Sequence, residues 1–193
     1  MALSNGFKKI KTAVFISGTG SNLRSLIKFS KLKKSPISID LIISDNANAK
    51  GLNYANIYKI KKKVFDLKQE SSSEKKILSE LKKYRIDLIC LAGFMKILSK
   101  QFIKSYDGKI LNIHPSLLPK YKGLNTHKRS IKNNDRYSGC TVHYVNSKLD
   151  SGKIINQKKV KISKKDTVKT LAKKILIQEH KLYPEAILKV FNL

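Results

Sequence analysis

The sequence is short of the features that mark membrane-spanning, disulfide-rich and metal-binding proteins. No apolar run in its 193 residues approaches the length of a membrane span. Its two cysteines, Cys90 and Cys140, lie in apolar segments, which favours buried free thiols in a reducing compartment over a disulfide. No Cys/His cluster resembles a metal site. We therefore expect a cytoplasmic protein without a metal, and we expect residues 1–11 to lead into a first strand, not to form a signal peptide.

Arginine and acidic residues are also scarce. The chain has 41 basic and 13 acidic residues, a formal charge of +28, yet only four of the basic residues are arginines. Nucleic-acid surfaces usually favour arginine together with interleaved aromatic residues, whereas the lysines here are scattered. We expect solvated lysine-rich helix faces, attraction for anionic small molecules and no nucleic-acid partner. A nucleic-acid-binding protein is the weaker alternative.

The order of apolar segments predicts the fold class. Internal repeats, low-complexity tracts and interdomain linkers are missing, so we expect one domain over residues 1–193. Strand-like runs alternate with helical patterns, which favours a doubly wound, mostly parallel α/β sheet with helices on both faces. Residues 139–162 hold two strands without a helix between them and predict a hairpin or an excursion from the sheet. Residues 167–190 predict one long C-terminal helix, bent near Pro184. The strands are expected at 12–16, 37–43, 64–67, 86–92, 110–113, 140–145 and 154–162, and the earlier helices at 22–32, 73–84 and 97–106.

A glycine-containing turn follows the first predicted strand and opens a helix. Its glycines permit a tight turn, and free amides at a helix start can bind a phosphate. An ordinary turn, with Ser21 or Asn22 as the N-cap, explains this motif alone about equally well. The motif consists of Gly18, Thr19, Gly20, Ser21 and Asn22.

Two polar side chains share one face at the end of a later strand. Asn112 and His114 are two positions apart, so on a strand they point the same way. An amide donor beside a titratable imidazole suits a carbonyl that becomes an oxyanion. Taken alone, an Asn-x-His pair is more often incidental. The longer string from Asn112 to Pro119, Asn-Ile-His-Pro-Ser-Leu-Leu-Pro, is far more specific.

Two further segments belong with this pair. An apolar stretch follows the fourth main strand and can line a slot for a flat aromatic ring, although core packing explains most of its side chains. Asp150 lies before Ser151 and Gly152, which alone indicates a turn. The apolar stretch contains Leu91, Phe94, Met95, Lys96, Ile97 and Leu98.

These motifs resemble, in order and nearly end to end, those of the folate-dependent formyltransferases, and especially the members that formylate phosphoribosylglycinamide (GAR). The resemblance implies transfer of a formyl group from the co-substrate 10-formyltetrahydrofolate to the amine of GAR in purine biosynthesis. It implies small-molecule substrates, no tightly bound cofactor, and a monomer or homodimer. It also implies that the N-terminal half binds GAR, while the C-terminal half binds folate and carries the catalytic residues.

Residue roles follow from the same resemblance. Asn112, His114 and Asp150 are similar to the catalytic trio, in which the carboxylate orients the histidine and raises its pKa. The glycine motif is similar to the loop for the GAR phosphate, and Glu179 to a ribose contact. His143 is similar to a supporting histidine near the site. The apolar stretch, from Leu91 to Leu98, is similar to the wall around the pterin.

Departures from the family pattern are few. Thr19 and Lys96 stand where Asn and Arg are common, and Asn125 stands where His is frequent, so Asn125 receives no role.

Methionyl-tRNA formyltransferase and formyltetrahydrofolate hydrolase share the catalytic core and are the alternatives. The first usually has a different loop after the catalytic motif and a further C-terminal domain. The second usually has His-Ser where this chain has Pro115 and Ser116.

Overall fold

The computed structural model describes residues 9–66 and 70–192. Within those residues, seven strands form one sheet with helices on both faces, as predicted for a single α/β domain. The elements in chain order are β1 (Ile10–Ile16), α1 (Ser21–Ser30), β2 (Ile37–Ser44), a 3₁₀ turn (Lys50–Leu52), α2 (Asn53–Tyr58), β3 (Lys61–Val64), α3 (Glu70–Lys83), β4 (Leu88–Leu91), α4 (Lys100–Ser105), β5 (Lys109–His114), α5 (Thr126–Lys132), β6 (Tyr137–Tyr144), β7 (Ile154–Lys161) and α6 (Val168–Val190).

The sheet has the strand order β3-β2-β1-β4-β5-β6-β7. The first five strands are parallel, and β6 and β7 add an antiparallel end. The chain first builds outward from β1 through β2 to β3, and then resumes with β4 on the other side of β1. Ligands bind open α/β sheets beyond the carboxyl ends of strands at such a reversal. The loops after β1 and β4 are therefore placed at the expected crevice.

Alternation along the central strands fills a core on each face of the sheet. In β1, Val14 and Ile16 pack under α1, α2 and α6, whereas Ala13 and Phe15 pack under α3 and α4. Every residue of β4 is buried, as expected for a parallel strand covered on both sides. Cys90 and Cys140 are free and buried, and burial raises the pKa of each thiol to about 12.

The antiparallel end has a direct consequence for the site. β6 returns beside β5 with Asn112 opposite His143, and β7 then pairs with β6 as the predicted hairpin. β6 ends at Tyr144, opposite Leu111 near the start of β5, and the segment between β6 and β7 folds back so that Asp150 meets Asn112 and His114.

The long helix α6 closes one face and continues through Pro184. Proline cannot donate to the carbonyl four residues earlier. That carbonyl, of His180, instead accepts a hydrogen bond from Ser25 Oγ of α1 at 3.0 Å. At the start of α6, the side chains of Thr167 and Thr170 form a reciprocal cap.

Several predicted boundaries were wrong. The strand predicted at 64–67 lies at Lys61–Val64, because an exposed edge strand paired with β2 needs no apolar pattern. Leu67 and residues 1–8 lie outside the described residues. Ser99 caps α4, which starts at Lys100 and not at residue 97. α2 and the 3₁₀ turn were not predicted, and Gly20 occupies the N-cap of α1 in place of Ser21 or Asn22. None of the helices in the described ranges is both long and apolar enough to cross a membrane.

Candidate active site

A cavity of about 410 Å³ opens at the carboxyl edge of the sheet, beyond β4 and β5. Its floor is polar, and its mouth is rich in exposed apolar side chains. Exposed apolar groups gathered at one cavity are typical of a ligand site. The floor consists of Asn112, His114, His143 and Asp150, and the exposed apolar residues are Met95, Ile97, Leu124, Leu149 and Val168.

The catalytic side chains predicted from sequence lie together on this floor. Asp150 Oδ2 is 3.3 Å from His114 Nδ1, although the two residues are 36 positions apart (150 − 114). Asp150 Oδ1 accepts a hydrogen bond from Asn112 Nδ2 at 3.4 Å. All three side chains are at least partly buried. The roles of these residues in catalysis stay predictions.

His143 orients the amide of Asn112. Its Nδ1 donates to the carbonyl of Tyr144 at 2.8 Å, so in the neutral ring Nε2 is an acceptor. That Nε2 accepts from Asn112 Nδ2 at 3.2 Å. Both amide hydrogens of Asn112 therefore point into the cluster, toward His143 and toward Asp150.

Asp150 is held in an uncommon backbone conformation. Its φ is 44°, in the left-handed region that Asp and Asn tolerate better than most residues. The amide of Gly123 donates to Asp150 Oδ2 at 2.8 Å. Burial raises the pKa of this carboxyl, but the neighbouring His143 ring, the hydrogen bond from the Gly123 amide and the positive charge that His114 takes up in acid outweigh it, so the net pKa is lowered. Asp150 is therefore ionised at neutral pH.

The pKa of His114 reflects opposing contributions from burial and from its neighbours. Burial lowers it, and the carbonyl of Tyr121 and the carboxylate of Asp150 raise it without overcoming burial. The nearby histidine His143 and Arg129 lower it further. Asp150 raises the pKa of His114, as the resemblance implies, but burial outweighs this contribution and the net pKa is lowered. His114 is neutral near pH 7 and lies beside a charged carboxylate.

The predicted apolar wall divides into packed and exposed members. Leu91 and Leu98 are buried, and Phe94 meets Phe15 edge to face with ring centroids 5.4 Å apart. Met95 and Ile97 are 67% and 63% exposed and face the cavity mouth beside Lys96. Leu91, Leu98 and Phe94 form a fixed wall, and Met95, Ile97 and Lys96 are available to a ligand.

The glycine motif forms a separate group beside this cavity. Gly20 has φ 73°, and its Cα packs on the Cα of Gly51 so closely that an added Cβ would lie 2.6 Å from it. Gly18 and Thr19 are exposed, and Ser21 is half-buried at the first turn of α1. This loop presents the start of a ten-residue helix to solvent, the arrangement that favours an anion.

Glu179 belongs to the same group. Asn22 Nδ2 donates to Glu179 Oε2 at 2.7 Å, and both side chains are buried. Burial raises the pKa of Glu179, and the hydrogen bond from Asn22 lowers it only in part. Asn22 Oδ1 is buried without a hydrogen-bond partner among the described residues. A polar ligand at this position would satisfy that oxygen.

Hydrogen bonds to the main chain join the two groups. Ser17 Oγ accepts from the amide of Met95 at 2.8 Å, and the amide of Ser17 donates to the carbonyl of Gly93 at 3.1 Å. Tyr183 Oη lies 3.1 Å from the carbonyl of Leu91 and 3.0 Å from that of Leu111, beneath the ends of β4 and β5. The glycine loop and the apolar wall are therefore fixed relative to each other.

Sequence reasoning missed several residues of the site. No side chain or carbonyl of the loop after the catalytic motif received a role from the sequence. The carbonyl of Tyr121 lies 2.8 Å from His114 Nε2, and Leu124, His127, Lys128 and Lys148 line the cavity. Only proximity in the fold identifies them, since an isolated Tyr or Lys in a polar loop carries no pattern.

The chain is similar over most of its length to known formyltransferases. The model of the formyl transferase family matches residues 10–187. Phosphoribosylglycinamide formyltransferase of Haemophilus influenzae is 43% identical over 180 residues, covering 92% of this chain and 85% of that protein. The crystal structure of phosphoribosylglycinamide formyltransferase from Brucella melitensis is 43% identical with a TM-score of 0.90, covering 95% and 96% of the two chains.

A second kind of relative is much longer. The human trifunctional purine biosynthetic protein adenosine-3 is 42% identical over 193 residues, which cover 96% of this chain but 19% of that protein. The chain thus spans about a fifth of the length of the trifunctional relatives that it matches.

Proposed function

The chain belongs to the formyl transferase family, and on that premise we propose that it is a phosphoribosylglycinamide formyltransferase. It transfers the formyl group of 10-formyltetrahydrofolate to the amine of GAR in purine biosynthesis. The observation that carries the proposal is the polar floor of Asn112, His114 and Asp150 at the base of an apolar cavity, beside a helix start suited to a phosphate. The names of the relatives support the same substrate.

Each substrate has a region with matching chemistry. The GAR phosphate binds the amides and side chains of Gly18, Thr19, Gly20, Ser21 and Asn22, and the ribose meets Glu179. The N-terminal half is thus the GAR-binding half, and the C-terminal half binds folate and carries out catalysis. The pterin lies in the cavity against Leu91, Phe94, Met95, Lys96, Ile97 and Leu98, with His143 supporting the floor.

The reaction needs an amine nucleophile with a free lone pair and a stabilised oxyanion. The neutral amine of GAR attacks the formyl carbon, an N–C bond forms, and the carbonyl becomes a tetrahedral C–O⁻ group. The amide of Asn112 donates to that oxygen by exchanging its 3.4 Å bond to Asp150 for a bond to the ligand. The oxyanion then re-forms the C=O bond, the C–N bond to the folate breaks, and the folate nitrogen takes up the proton that the attacking amine released.

His114 starts this sequence neutral and becomes charged during it. Its Nδ1 faces ionised Asp150 at 3.3 Å, a contact longer than the 2.7–2.9 Å of a charge-assisted hydrogen bond. A proton released by the attacking nitrogen is accepted there, and the resulting imidazolium stabilises the oxyanion while Asp150 stabilises the imidazolium. The lowered pKa of His114 in the free protein suits a base that acts near neutral pH.

The environment of the enzyme follows from the same proposal. We propose a cytoplasmic monomer or homodimer that acts on small molecules, binds no nucleic acid and uses 10-formyltetrahydrofolate as a co-substrate with no tightly bound cofactor. The high positive charge attracts both anionic substrates. Lys96, Lys128 and Lys148 line the cavity, where they would meet carboxylates of the folate.

One assay separates the proposed activity from its alternatives. Purified protein is given 10-formyltetrahydrofolate with GAR, with methionyl-tRNA, or with no acceptor, and formyl transfer or hydrolysis is followed. We expect transfer to GAR alone at an appreciable rate. Preferential transfer to methionyl-tRNA would indicate the tRNA enzyme, and equal folate turnover without acceptor would indicate the hydrolase.

The phosphate site has its own test. Asn22→Ala removes a side chain that joins the glycine loop to Glu179, so the KM for GAR should rise about tenfold, the scale of one hydrogen bond to a charged group. The KM for the folate should change much less. Equal increases for both substrates, or a larger one for the folate, would remove the phosphate assignment.

A further inference from the structure

The loop of residues 120–125 is bonded to both partners of the catalytic pair. The carbonyl of Tyr121 accepts from His114 Nε2 at 2.8 Å, and the amide of Gly123 donates to Asp150 Oδ2 at 2.8 Å. The loop therefore contacts the imidazole at Nε2, the ring nitrogen that does not face the carboxylate. The bond to His114 uses the main chain, so the identity of residue 121 is not explained by that contact alone.

Tyr121 is an unusual residue for this backbone. Its φ is 56°, a left-handed conformation that costs a bulky residue free energy and persists only where its surroundings hold it. The side chain supplies that hold. Tyr121 Oη donates to Asp135 Oδ2 at 2.7 Å and accepts from Asn133 Nδ2 at 2.9 Å, while the guanidinium of Arg129 lies 4.9 Å from the ring centroid.

Asp135 is well fixed in turn. Besides Tyr121, it accepts from Lys120 Nζ at 2.6 Å and from Ser130 Oγ at 3.3 Å. Burial raises the pKa of this carboxyl, yet the hydrogen bonds from Lys120 and Tyr121 outweigh it and the net pKa is lowered. A charged, multiply bonded carboxylate thus anchors the far end of the Tyr121 side chain.

We propose that Tyr121 is a positioning residue for His114: anchored by Asp135, it aims its main-chain carbonyl at Nε2 and thereby places the ring hydrogen on that nitrogen. Nδ1 is then the only site on the imidazole that can take a further proton, and it faces Asp150. The effect on catalysis rests on the proposed function, but the position of the hydrogen does not.

The other groups around His114 do not set this tautomer. His143 and Arg129 lower the pKa of His114 by charge repulsion, and His114 lowers the pKa of His127 in the same way. In the described part of the chain, only the Tyr121 carbonyl is in hydrogen-bond contact with Nε2. Asp150 by itself would favour a hydrogen on Nδ1, because a carboxylate is an acceptor. The carbonyl therefore opposes the carboxylate and keeps Nδ1 free in the neutral ring.

The test removes the hydroxyl of Tyr121 and measures directly which nitrogen of the His114 ring is protonated. Nitrogen-15 NMR of histidine-labelled protein at pH 7.5, with the His114 signals assigned by their loss in His114→Gln, should show Nε2 protonated in the unaltered protein. In Tyr121→Phe, the hydrogen should redistribute toward Nδ1 by about fivefold, the scale of one ordinary hydrogen bond. Tyr137→Phe alters an exposed tyrosine on β6 and serves as the matched control.

Kinetics add a second readout. Tyr121→Phe should lower kcat for formyl transfer about fivefold to tenfold, shift its pH profile, and leave the KM for GAR within about twofold, because the glycine loop is not in contact with residue 121. Asp135→Asn should act in the same direction. Asp166→Asn, which breaks a comparable pair with Lys174 at the start of α6, should not.

The possible results distinguish failure of the positioning role of Tyr121 from failure of the proposed function. A tautomer and pH profile unchanged in both Tyr121→Phe and Asp135→Asn, with only the melting temperature lowered, would overturn the proposal and leave a merely structural tyrosine. Nδ1 protonated in the unaltered protein would overturn it as well. If the protein fails to formylate GAR while the tautomer shifts as described, the proposed function fails and the positioning role of Tyr121 stands.

Discussion

The glycine loop after β1 and the catalytic floor beyond β5 lie at the same edge of one sheet but are built by different means. The loop is shaped by backbone sterics: Gly20 packs on Gly51 at a distance that excludes any side chain, and its neighbours are adjacent in sequence. The floor is assembled by polar side chains from β5, β6 and a distant turn. The conformation of the loop depends on steric fit, and the arrangement of the floor depends on charge and hydrogen bonding.

This difference affects how each region responds to change. A steric contact between glycines is independent of pH and breaks when a methyl group is added. A cluster of His114, His143 and Asp150 tolerates isosteric changes in shape, but its function depends on which atoms carry protons. Substitutions should therefore separate the two regions: those at the contact between Gly20 and Gly51 should lower stability, and those in the floor should lower turnover with little effect on stability.

The largest effect is expected for His114→Ala. The change removes the group that accepts the proton and stabilises the oxyanion, so kcat should fall about 10²–10³-fold. The KM values of both substrates should change far less, because the cavity wall and the glycine loop are untouched. Steady-state kinetics with GAR and the folate provide the measurement. A kcat close to that of the unaltered protein would contradict the assignment.

A slightly smaller effect is expected for Asp150→Asn. Asparagine tolerates the left-handed backbone at this position, so the turn should survive while its charge is lost. Without the carboxylate the imidazolium is no longer stabilised, and kcat should fall about 10²-fold. The melting temperature serves as the control for folding. A large loss of stability with normal kcat would make Asp150 a structural residue of the turn.

The sequence predicted the loop better than the floor, for a physical reason. A strand, two glycines and a helix start are local, so Gly18 to Asn22 identify their own geometry. Asn112 and His114 share a strand face by alternation alone. Asp150, by contrast, could be attached to His114 only through the family resemblance, because 36 residues and a strand reversal separate them.

The remaining errors have a common source in tertiary contacts. β3 has three lysines and lies at a sheet edge, where pairing with β2 replaces apolar patterning. The direction of the His114 pKa depends on burial by the loop above it, which no local pattern reports. Tyr121 acts through its carbonyl, a group that every residue possesses. Sequence patterns identify side-chain chemistry, and they miss roles assigned by burial or by the main chain.

The steric nature of the loop leads to a prediction about stability. Gly20→Ala would place a Cβ 2.6 Å from the Cα of Gly51 at a φ of 73°, so unfolding should become easier by about 2 kcal/mol or more. Gly18→Ala is the matched control, because a Cβ there meets nothing within 4 Å. It should change the free energy of unfolding by less than about 0.5 kcal/mol. Denaturant titration compares the two, and similar losses would contradict the steric account.

The smallest expected effect is the response of stability to mild acid, which tests the polar character of the floor. Burial lowers the pKa of His114, His127 and His180 from 6.5, so the unfolded chain takes up protons at a higher pH than the folded one. Their contribution is therefore fully present above pH 6.5 and is lost as the pH falls below that value.

Two aspartates do not act in this window, whereas Glu179 opposes the histidines, because its raised pKa lets the folded chain take up a proton at a higher pH than the unfolded chain. The pKa of Asp150 is lowered from 3.8 and that of Asp166 to about 2, so their stabilisation is lost only at pH values below about 4. Melting temperature should thus decline between pH 7.5 and 5.5. His127→Gln should make that decline shallower, because it removes one half-buried imidazole that lines the cavity. Gly18→Ala should leave the slope unchanged, since the loop carries no titrating group. A melting temperature that rises on acidification, or equal slopes with and without His127, would show that proton uptake by these histidines does not set the acid response.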